Sequence, residues 1–389
     1  MNPKEEKIRQ EAVRRYLAGE SPKSIYTSLQ RCKVWFFKWV ARHRTGDPHW
    51  FRDLSRAPKN VPNRTDPKTE ELVCSVRKQL EENNEFYGAQ AILWTLEDLG
   101  LPQVPSLMTI NRILKRNGLI RPREKRYKPK GKAYPSIEVK GLNDLHQMDI
   151  VGPRYLVGPI RFYSANVMDI YSHRVAINPM EAKNSQCVLR ALVAAWKRLG
   201  IPKYLQLDNQ LPFRGSNRYP HSFGALIKLC LHLGVQPVFI PLHEPWRNGS
   251  IEKFQDYFQV KFLRQVHMES FSELLQQSMC YENRHNNRYR YSVTKGRTPV
   301  RTVELSNGKL HLLESDFQMP NMRKKPSKGR IHLMRFIRSH RILDIFGEKF
   351  KVSDKLIYEY VRATIFVKEQ KLKVFLDENQ MAEFEYRLT

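Results

Sequence analysis

The strongest constraint on this chain is a change of hydrophobic period between residues 141 and 265. Asp144–Ile150, Arg161–Asp169 and His173–Asn178 read as β-strands, the first two separated by the turn Val157-Gly158-Pro159-Ile160. They follow one another so closely that an antiparallel meander is the economical arrangement. A helix over Asn184–Leu199 comes next, with Cys187, Val188, Leu192, Val193 and Trp196 as its apolar face. Short strands at Tyr204–Leu207 and Val235–Ile240 then alternate with helices at Phe223–Leu233 and from Gly249 to about Arg264.

A meander followed by helix–strand–helix–strand–helix makes a mixed sheet with helices on both faces, the order of the ribonuclease-H-like fold. Three acids fall where such a fold collects ligands. Asp149 follows Leu145-His146-Gln147-Met148, Asp208 ends Tyr204-Leu205-Gln206-Leu207, and Glu252 sits just inside the last helix after Asn248-Gly249. Carboxylates at strand ends face the crevice outside the carboxyl edge of a sheet. Three of them repel one another unless a cation lies between, and Mg²⁺ or Mn²⁺ is the usual occupant. Asp169 reads as turn chemistry, and His243 and Glu244 as loop residues ahead of Glu252.

Charge narrows the partner. The 67 Lys and Arg against 39 Asp and Glu leave a formal +28, an excess that points to a polyanion whose phosphates release counterions on contact. No run of eighteen apolar residues and no isolated basic amphipathic tail favours a membrane, and the N-terminus lacks a signal peptide's apolar core. The expected location is therefore cytoplasmic. Five scattered cysteines, with no CxxC and no zinc spacing, read as buried free thiols.

Two helical stretches precede the core. Helices at residues 4–17, 22–29 and 32–43 form a first three-helix unit, with Ser21 capping and Pro22 opening the second helix. Its basic third helix suits a helix-turn-helix module, and Trp35 and Trp39 read as packing residues. A second such unit covers Thr69–Glu82, Gly88–Leu99 and Leu107–Asn117, the last helix capped by Ser106. Between Arg112 and Lys132 there are ten Lys or Arg and one acid, Glu124, with Gly and Pro interspersed. That stretch reads as an extended arm along phosphates. After a second basic linker, Arg323-Lys324-Lys325, six short β-type runs suggest a small closed barrel.

The expected domains are thus 1–45 and 68–120 (helix-turn-helix), with 46–67 and 121–140 as linkers, and 141–265 as catalytic core. Residues 266–328 form a helical extension with basic linker, and 329–389 an SH3-like β-barrel.

The flanks of the acids add a resemblance. Met148-Asp149, Asp208-Asn209-Gln210 with Phe213, and Pro241 through Asn248-Gly249 to Glu252 resemble the motifs of bacterial insertion-sequence transposases. These belong to the DDE superfamily, whose catalytic core is of the retroviral-integrase type. The resemblance extends to both helix-turn-helix units, the Leu54-Ser55-Arg56-Ala57-Pro58 linker, Asn283 with Thr298-Pro299, and the C-terminal barrel. Two departures stand out. Gln210 replaces the family's glycine, and the 43 residues between Asp208 and Glu252 are more than the family usually has, with Arg214–His221 as the natural insertion.

The resemblance implies a Mg²⁺-dependent polynucleotidyl transferase with Asp149, Asp208 and Glu252 as catalytic residues and metal ligands. Two Mg²⁺ ions, with Mn²⁺ as a possible substitute, would lie about 3.5–4 Å apart across the scissile phosphate. Water would free the element's 3′-hydroxyl, and that hydroxyl would then attack target DNA. A metal-dependent nuclease without strand transfer, or a domesticated non-catalytic DNA-binding protein, are the alternatives. The partners implied are double-stranded DNA, as terminal repeats and target, and further copies of the chain, at least a dimer on paired ends. The setting implied is the bacterial nucleoid. Candidate DNA contacts are Lys33, Lys38 and Arg42 in the first module and Arg112, Lys115 and Arg116 in the second. The arm contributes Arg121, Arg123, Lys125, Arg126 and Lys128; the core Asn209, Lys253, Gln255 and Gln259; the second linker Arg323, Lys324 and Lys325.

Overall fold

A computed structural model describes residues 3–54, 65–120, 134–216 and 221–388. The chain divides into two compact units, Met1–Pro67 and Lys68–Thr389.

In the first unit, α1 (Pro3–Leu17), α2 (Pro22–Ser28) and α3 (Lys33–His43) enclose Ala12, Val13, Ile25, Phe36, Trp39 and Val40. Ser21 caps α2 by accepting from the Ser24 N–H, with Pro22 at the first helical position. Trp39 is only 2% exposed, with the Arg9 and Arg42 guanidinium groups 4.1 and 4.8 Å from its ring centre. Its role is packing, capped by cation–π contacts.

The second unit begins with α4 (Pro67–Glu82), α5 (Ala89–Asp98) and α6 (Leu107–Arg116), which bury Val73, Val76, Ile92, Leu96, Ile110 and Ile113. Ser106 caps α6 by accepting from the Thr109 N–H. These helices are fastened to the rest of the unit: Phe86 lies edge-on to Tyr257 and Tyr289 at 4.6 and 4.4 Å, and Asn84 donates to the Lys261 carbonyl.

The core sheet has the order its alternation predicts. Strands β1 (Leu145–Tyr155), β2 (Arg161–Asp169) and β3 (Val175–Met180) form the meander, and β1 pairs parallel with β4 (Tyr204–Leu207). Next to β4 lies β5 (Gln236–Phe239), again parallel. One face is covered by α7 (Ser185–Leu199) and α9 (Ala225–His232), which follows the short α8 (Leu211–Arg214). The other carries α10 (Gly249–Phe258), continued by a π turn at Gln259–Leu263, and α11 (Phe271–Arg288). The result is a mixed sheet with helices on both faces, the arrangement that the order of elements predicts.

Three differences from the expected elements have physical causes. Strand β1 runs on past Ile150 because a register shift between Val151 and Arg154 absorbs Gly152-Pro153. Gly152 has φ +122°, and a Cβ there would meet the Tyr163 ring at 2.9 Å, so only glycine fits. Second, α11, the helix expected after the core, belongs to the core sheet itself. Its Asn286 side chain accepts from the Val175 N–H and donates to the Val175 carbonyl, and Glu282 accepts from the Ile177 N–H, so α11 satisfies the outer edge of β3.

The third difference concerns the expected barrel. After α12 (Pro299–Glu304), β6 (Arg330–Phe336) pairs parallel with β5 through Val238↔His332 and Phe239↔Leu333. Strands β9 (Tyr360–Phe366), β10 (Lys371–Leu376) and β11 (Asn379–Glu385) follow it outward. Among the described residues the result is a nine-stranded sheet, β11-β10-β9-β6-β5-β4-β1-β2-β3, with β7 (Ile342–Ile345) and β8 (Glu348–Lys351) as a separate hairpin. The β-runs are present, but the described pairings extend the core sheet instead of closing a separate barrel. His332 stitches the seam, reaching Gln236 at 3.0 Å and Thr364 at 3.0 Å.

The cysteines are free, as expected, but only Cys187 and Cys230 are buried; Cys32 and Cys280 are exposed.

Candidate active site

Gln147 on β1 pairs with Gln206 on β4, and two residues beyond each comes an aspartate, Asp149 and Asp208. Side chains two apart share a face, so Asp149 on β1 and Asp208, the first residue after β4, continue the face of Gln147 and Gln206. That face is the one under α10. The glutamines lock the helix to it: Gln147 accepts from the Ile251 N–H, and Gln206 donates to the Arg247 carbonyl and to Asn248 Oδ1. Asn248 in turn donates to the Met148 carbonyl. Glu252, one residue after Ile251, is thereby fixed over the sheet beside the aspartates. The same polar layer continues to β2, where Asn166, the cross-strand partner of Asp149, donates to Gln255.

The electrostatics confirm a shared neighbourhood. Burial pushes Asp149 up to about 6, and the charges of Asp208 and Glu252 push the same way. Asp208 is raised by burial, against the pull of its Gln210 hydrogen bonds and of Lys183. Glu252 is raised by burial, then by Asp256 and Asp208. Three carboxylates are held where their own charge is unwelcome, the pattern of a functional site. As placed, no three acidic, histidine or cysteine side chains converge to metal-binding distance among the described residues. Asp208 is turned onto its own loop: Oδ1 accepts from the Gln210 N–H at 3.0 Å and Oδ2 from the Gln210 side chain. The donor set is nevertheless all carboxylate, the hard-oxygen chemistry that suits Mg²⁺ or Mn²⁺.

The chain matches no protein-family model. No curated protein matches it either. Among solved structures it is similar to the HTLV-2 integrase catalytic core domain in complex with magnesium, at 16% identity over 42% of this chain and 97% of that one, with a TM-score of 0.32. It is also similar to the simian T-cell lymphotropic virus intasome in complex with PP2A regulatory subunit B56 gamma, at 14% identity over 74% of this chain and 88% of that one, with a TM-score of 0.36. The likeness is distant.

The other expected contact residues divide by placement. Lys33 and Lys38 are exposed on α3, while Arg42 donates to the Arg52 carbonyl and stacks on Trp39. Arg112 and Lys115 are exposed on α6; Arg116 is exposed but paired with Glu70. Lys253 and Arg323, Lys324 and Lys325 are exposed. Gln255 is different: at 4% exposure it faces the sheet and serves packing. Helical spacing put it on the face of Glu252, but Glu252 lies at the rim of the buried face and Gln255 inside it. Gln259 accepts from Arg154, and Asn209 is tied at both ends of its amide, to the Ile240 carbonyl and to Arg335. Arg121, Arg123, Lys125, Arg126 and Lys128 lie outside the described residues.

Asp169 is the turn residue it was expected to be, accepting from the Asn143 and Ser172 N–H groups. Glu244 accepts from Arg247 and Tyr360, and His243 is exposed. Two residues near the acids escaped the sequence reading. Lys183, half-buried after β3, lends positive charge to Asp149 and Asp208. Gln210 binds the Asp208 carboxylate, which its appearance as a mere replacement for glycine did not signal.

Proposed function

We propose that this protein is a DNA transposase with a retroviral-integrase-type core, cutting the ends of its element and joining the 3′-hydroxyl ends to target DNA. One observation carries the reading: Asp149, Asp208 and Glu252, remote in sequence, lie on one face of the sheet, where Asp208 and Glu252 raise the proton affinity of Asp149 and Asp208 raises that of Glu252. In this reading the three carboxylates hold divalent metal. Once bound, Mg²⁺ would supply Lewis-acid stabilisation of charge on the scissile phosphate. The chain's own residues do the placing. Gln147, Gln206 and Asn248 set Glu252 against the strands, and Lys183, whose charge acts on Asp149 and Asp208, offers a cation to a phosphate oxygen. The cationic surface steers DNA toward the site.

Recognition of the ends falls to the two helical modules, read as helix-turn-helix units with α3 and α6 entering the major groove. The active species is at least a dimer on paired ends, since joining both ends of an element needs two sets of acids.

The test is an assay with full-length protein, Mg²⁺ and a short duplex carrying the element's terminal repeat. The expected products are a cleaved end and, with a second duplex, that end joined to it. Cleavage that never yields joined product would favour the nuclease reading, and binding without cleavage the non-catalytic one.

A prediction about recognition follows from the exposed cations. Reversing Arg112 and Lys115 to glutamate should weaken binding to terminal-repeat duplex at least tenfold and flatten the dependence of log affinity on log salt by about one unit per lost phosphate contact. Binding titrations at several salt concentrations check it. An unchanged slope would remove α6 from the DNA interface.

A further inference from the structure

The C-terminal strands meet the candidate site at two places, and the first is chemically unusual. Arg335 on β6 is 5% exposed, and its hydrogen bonds all go to uncharged oxygens. Nε donates to the Asp344 carbonyl at 3.0 Å, and Nη1 to the Ile240 and Met334 carbonyls at 3.2 and 2.9 Å. Nη2 donates to Asn209 Oδ1 at 3.0 Å. Burial draws Arg335 down to about 10, so it remains a cation at neutral pH. A buried charge without a salt-bridge partner is costly, and an apolar side chain would fill the same space at lower cost. What only the guanidinium supplies is a rigid planar fork that reaches three segments at once. Those are the β7 strand, the end of β5, and the turn that begins at Asp208.

Asn209 completes the clamp. Its Nδ2 donates to the Ile240 carbonyl at 2.7 Å while its Oδ1 faces Arg335. The amide has one orientation that satisfies both neighbours, a donor to a carbonyl and an acceptor to a cation. The residue next to Asp208 is therefore fixed on both sides, by the residue that follows β5 and by β6. The second brace acts on the loop ahead of Glu252. Tyr360 on β9 donates to Glu244 at 2.7 Å, and Glu244 accepts from Arg247 at 2.9 Å. The Arg247 carbonyl is the one that Gln206 holds.

We propose that Arg335 is a positioning residue for Asp208, acting through Asn209, so that the C-terminal strands set the geometry of the acidic site. The proposal rests on the reading that the three acids bind divalent metal. Side chains that orient the ligands of a metal commonly change metal affinity 10–100-fold when removed. A clamp on the Asp208 turn belongs to that class of effect.

The experiment uses full-length protein and Mn²⁺ alone, with binding followed by the electron paramagnetic resonance signal of free Mn²⁺ and the melting temperature recorded without metal. Asn209→Ala removes the link and leaves Arg335 its three carbonyl partners. It is expected to melt within a few degrees of wild type but to bind Mn²⁺ at least ~10-fold more weakly. Arg335→Lys keeps the charge and loses the fork, and is expected to weaken Mn²⁺ binding similarly instead of rescuing it. Wild-type Mn²⁺ affinity in a folded Asn209→Ala protein would overturn the proposal, even if Arg335→Lys fails to fold. Failure of the underlying reading looks different: Asp208→Asn would then bind Mn²⁺ as well as wild type does, or wild type would not bind it at all.

Discussion

Asp149→Asn should give a protein that is folded, melts at a higher temperature than wild type in the absence of metal, and no longer cleaves or joins DNA. Asp208→Asn and Glu252→Gln should lose activity in the same way, by at least three orders of magnitude if each acid is a metal ligand. The stability gain follows from the raised pKa values. A carboxyl group held near 6 in the folded state, against an ordinary 3.8, is one whose ionised form opposes folding. Its folded-state advantage is complete below the unfolded value and disappears as pH rises through about 6. At neutral pH, in chelator, the wild-type protein therefore carries a destabilising contribution of up to about 3 kcal/mol from this one group. Asparagine keeps the shape and removes that charge. Two measurements check the prediction together: end cleavage beside DNA affinity, and thermal melting in chelator between pH 4 and pH 8. Wild type should gain stability relative to Asp149→Asn as pH falls from 7 to 4. A substituted protein that cleaves normally would remove its residue from the site. A melting difference that stays flat with pH would mean that Asp149 is not held in this strained ionisation.

Deleting residues 321–389 should unfold the unit that carries the three acids. The sequence alone would make this a test of assembly, in which a separable barrel is removed and end pairing measured. The fold makes that deletion too severe. Strand β6 pairs with β5, and Ile331, Leu333, Leu343, Ile345, Val361 and Ile365 belong to the same buried cluster as Leu205, Leu207, Phe239 and Trp196. Phe346 of the hairpin region packs on Phe239 at 5.5 Å and on Phe223 at 6.4 Å. Each fully buried large apolar side chain contributes roughly 1.5–3 kcal/mol relative to exposure, and a domain's net stability is only about 5–15 kcal/mol. Uncovering several of them on β5 and α9, together with a bare strand edge, exceeds what the remainder can sustain. The expected outcome is loss of the cooperative melt and rapid proteolysis throughout 134–320. A truncated protein that melts cooperatively near the wild-type temperature would show the C-terminal strands to be separable after all. Assembly on paired ends is better tested by the mass of the complex formed by the full-length chain on terminal-repeat duplexes, where two or more protomers per pair of ends are expected.

Much of the local structure was written in the sequence because its signals are local. A cap is a residue and its neighbour three positions on, so Ser21 and Ser106 could be read directly, and each accepts the expected N–H. The 3.6 and 2.0 periods gave the helices and the core strands, and their order gave the mixed sheet. Carboxylates at strand ends were legible for the same reason. What the sequence could not decide was which edges meet. Nothing in residues 330–336 says that they will lie against 236–239, because a parallel pairing between strands some ninety residues apart depends on register, not on nearby residues. The buried polar layer has the same origin. Gln147, Gln206 and Asn248 are ordinary polar residues until the sheet brings them together, and Gln255 reads as surface until the rotation of α10 turns it inward. Arg335 is the extreme case. One more arginine in a chain of net charge +28 carries no signal of its own. Only the tertiary fold, by surrounding it with carbonyls and one asparagine beside Asp208, separates it from the cations that meet solvent.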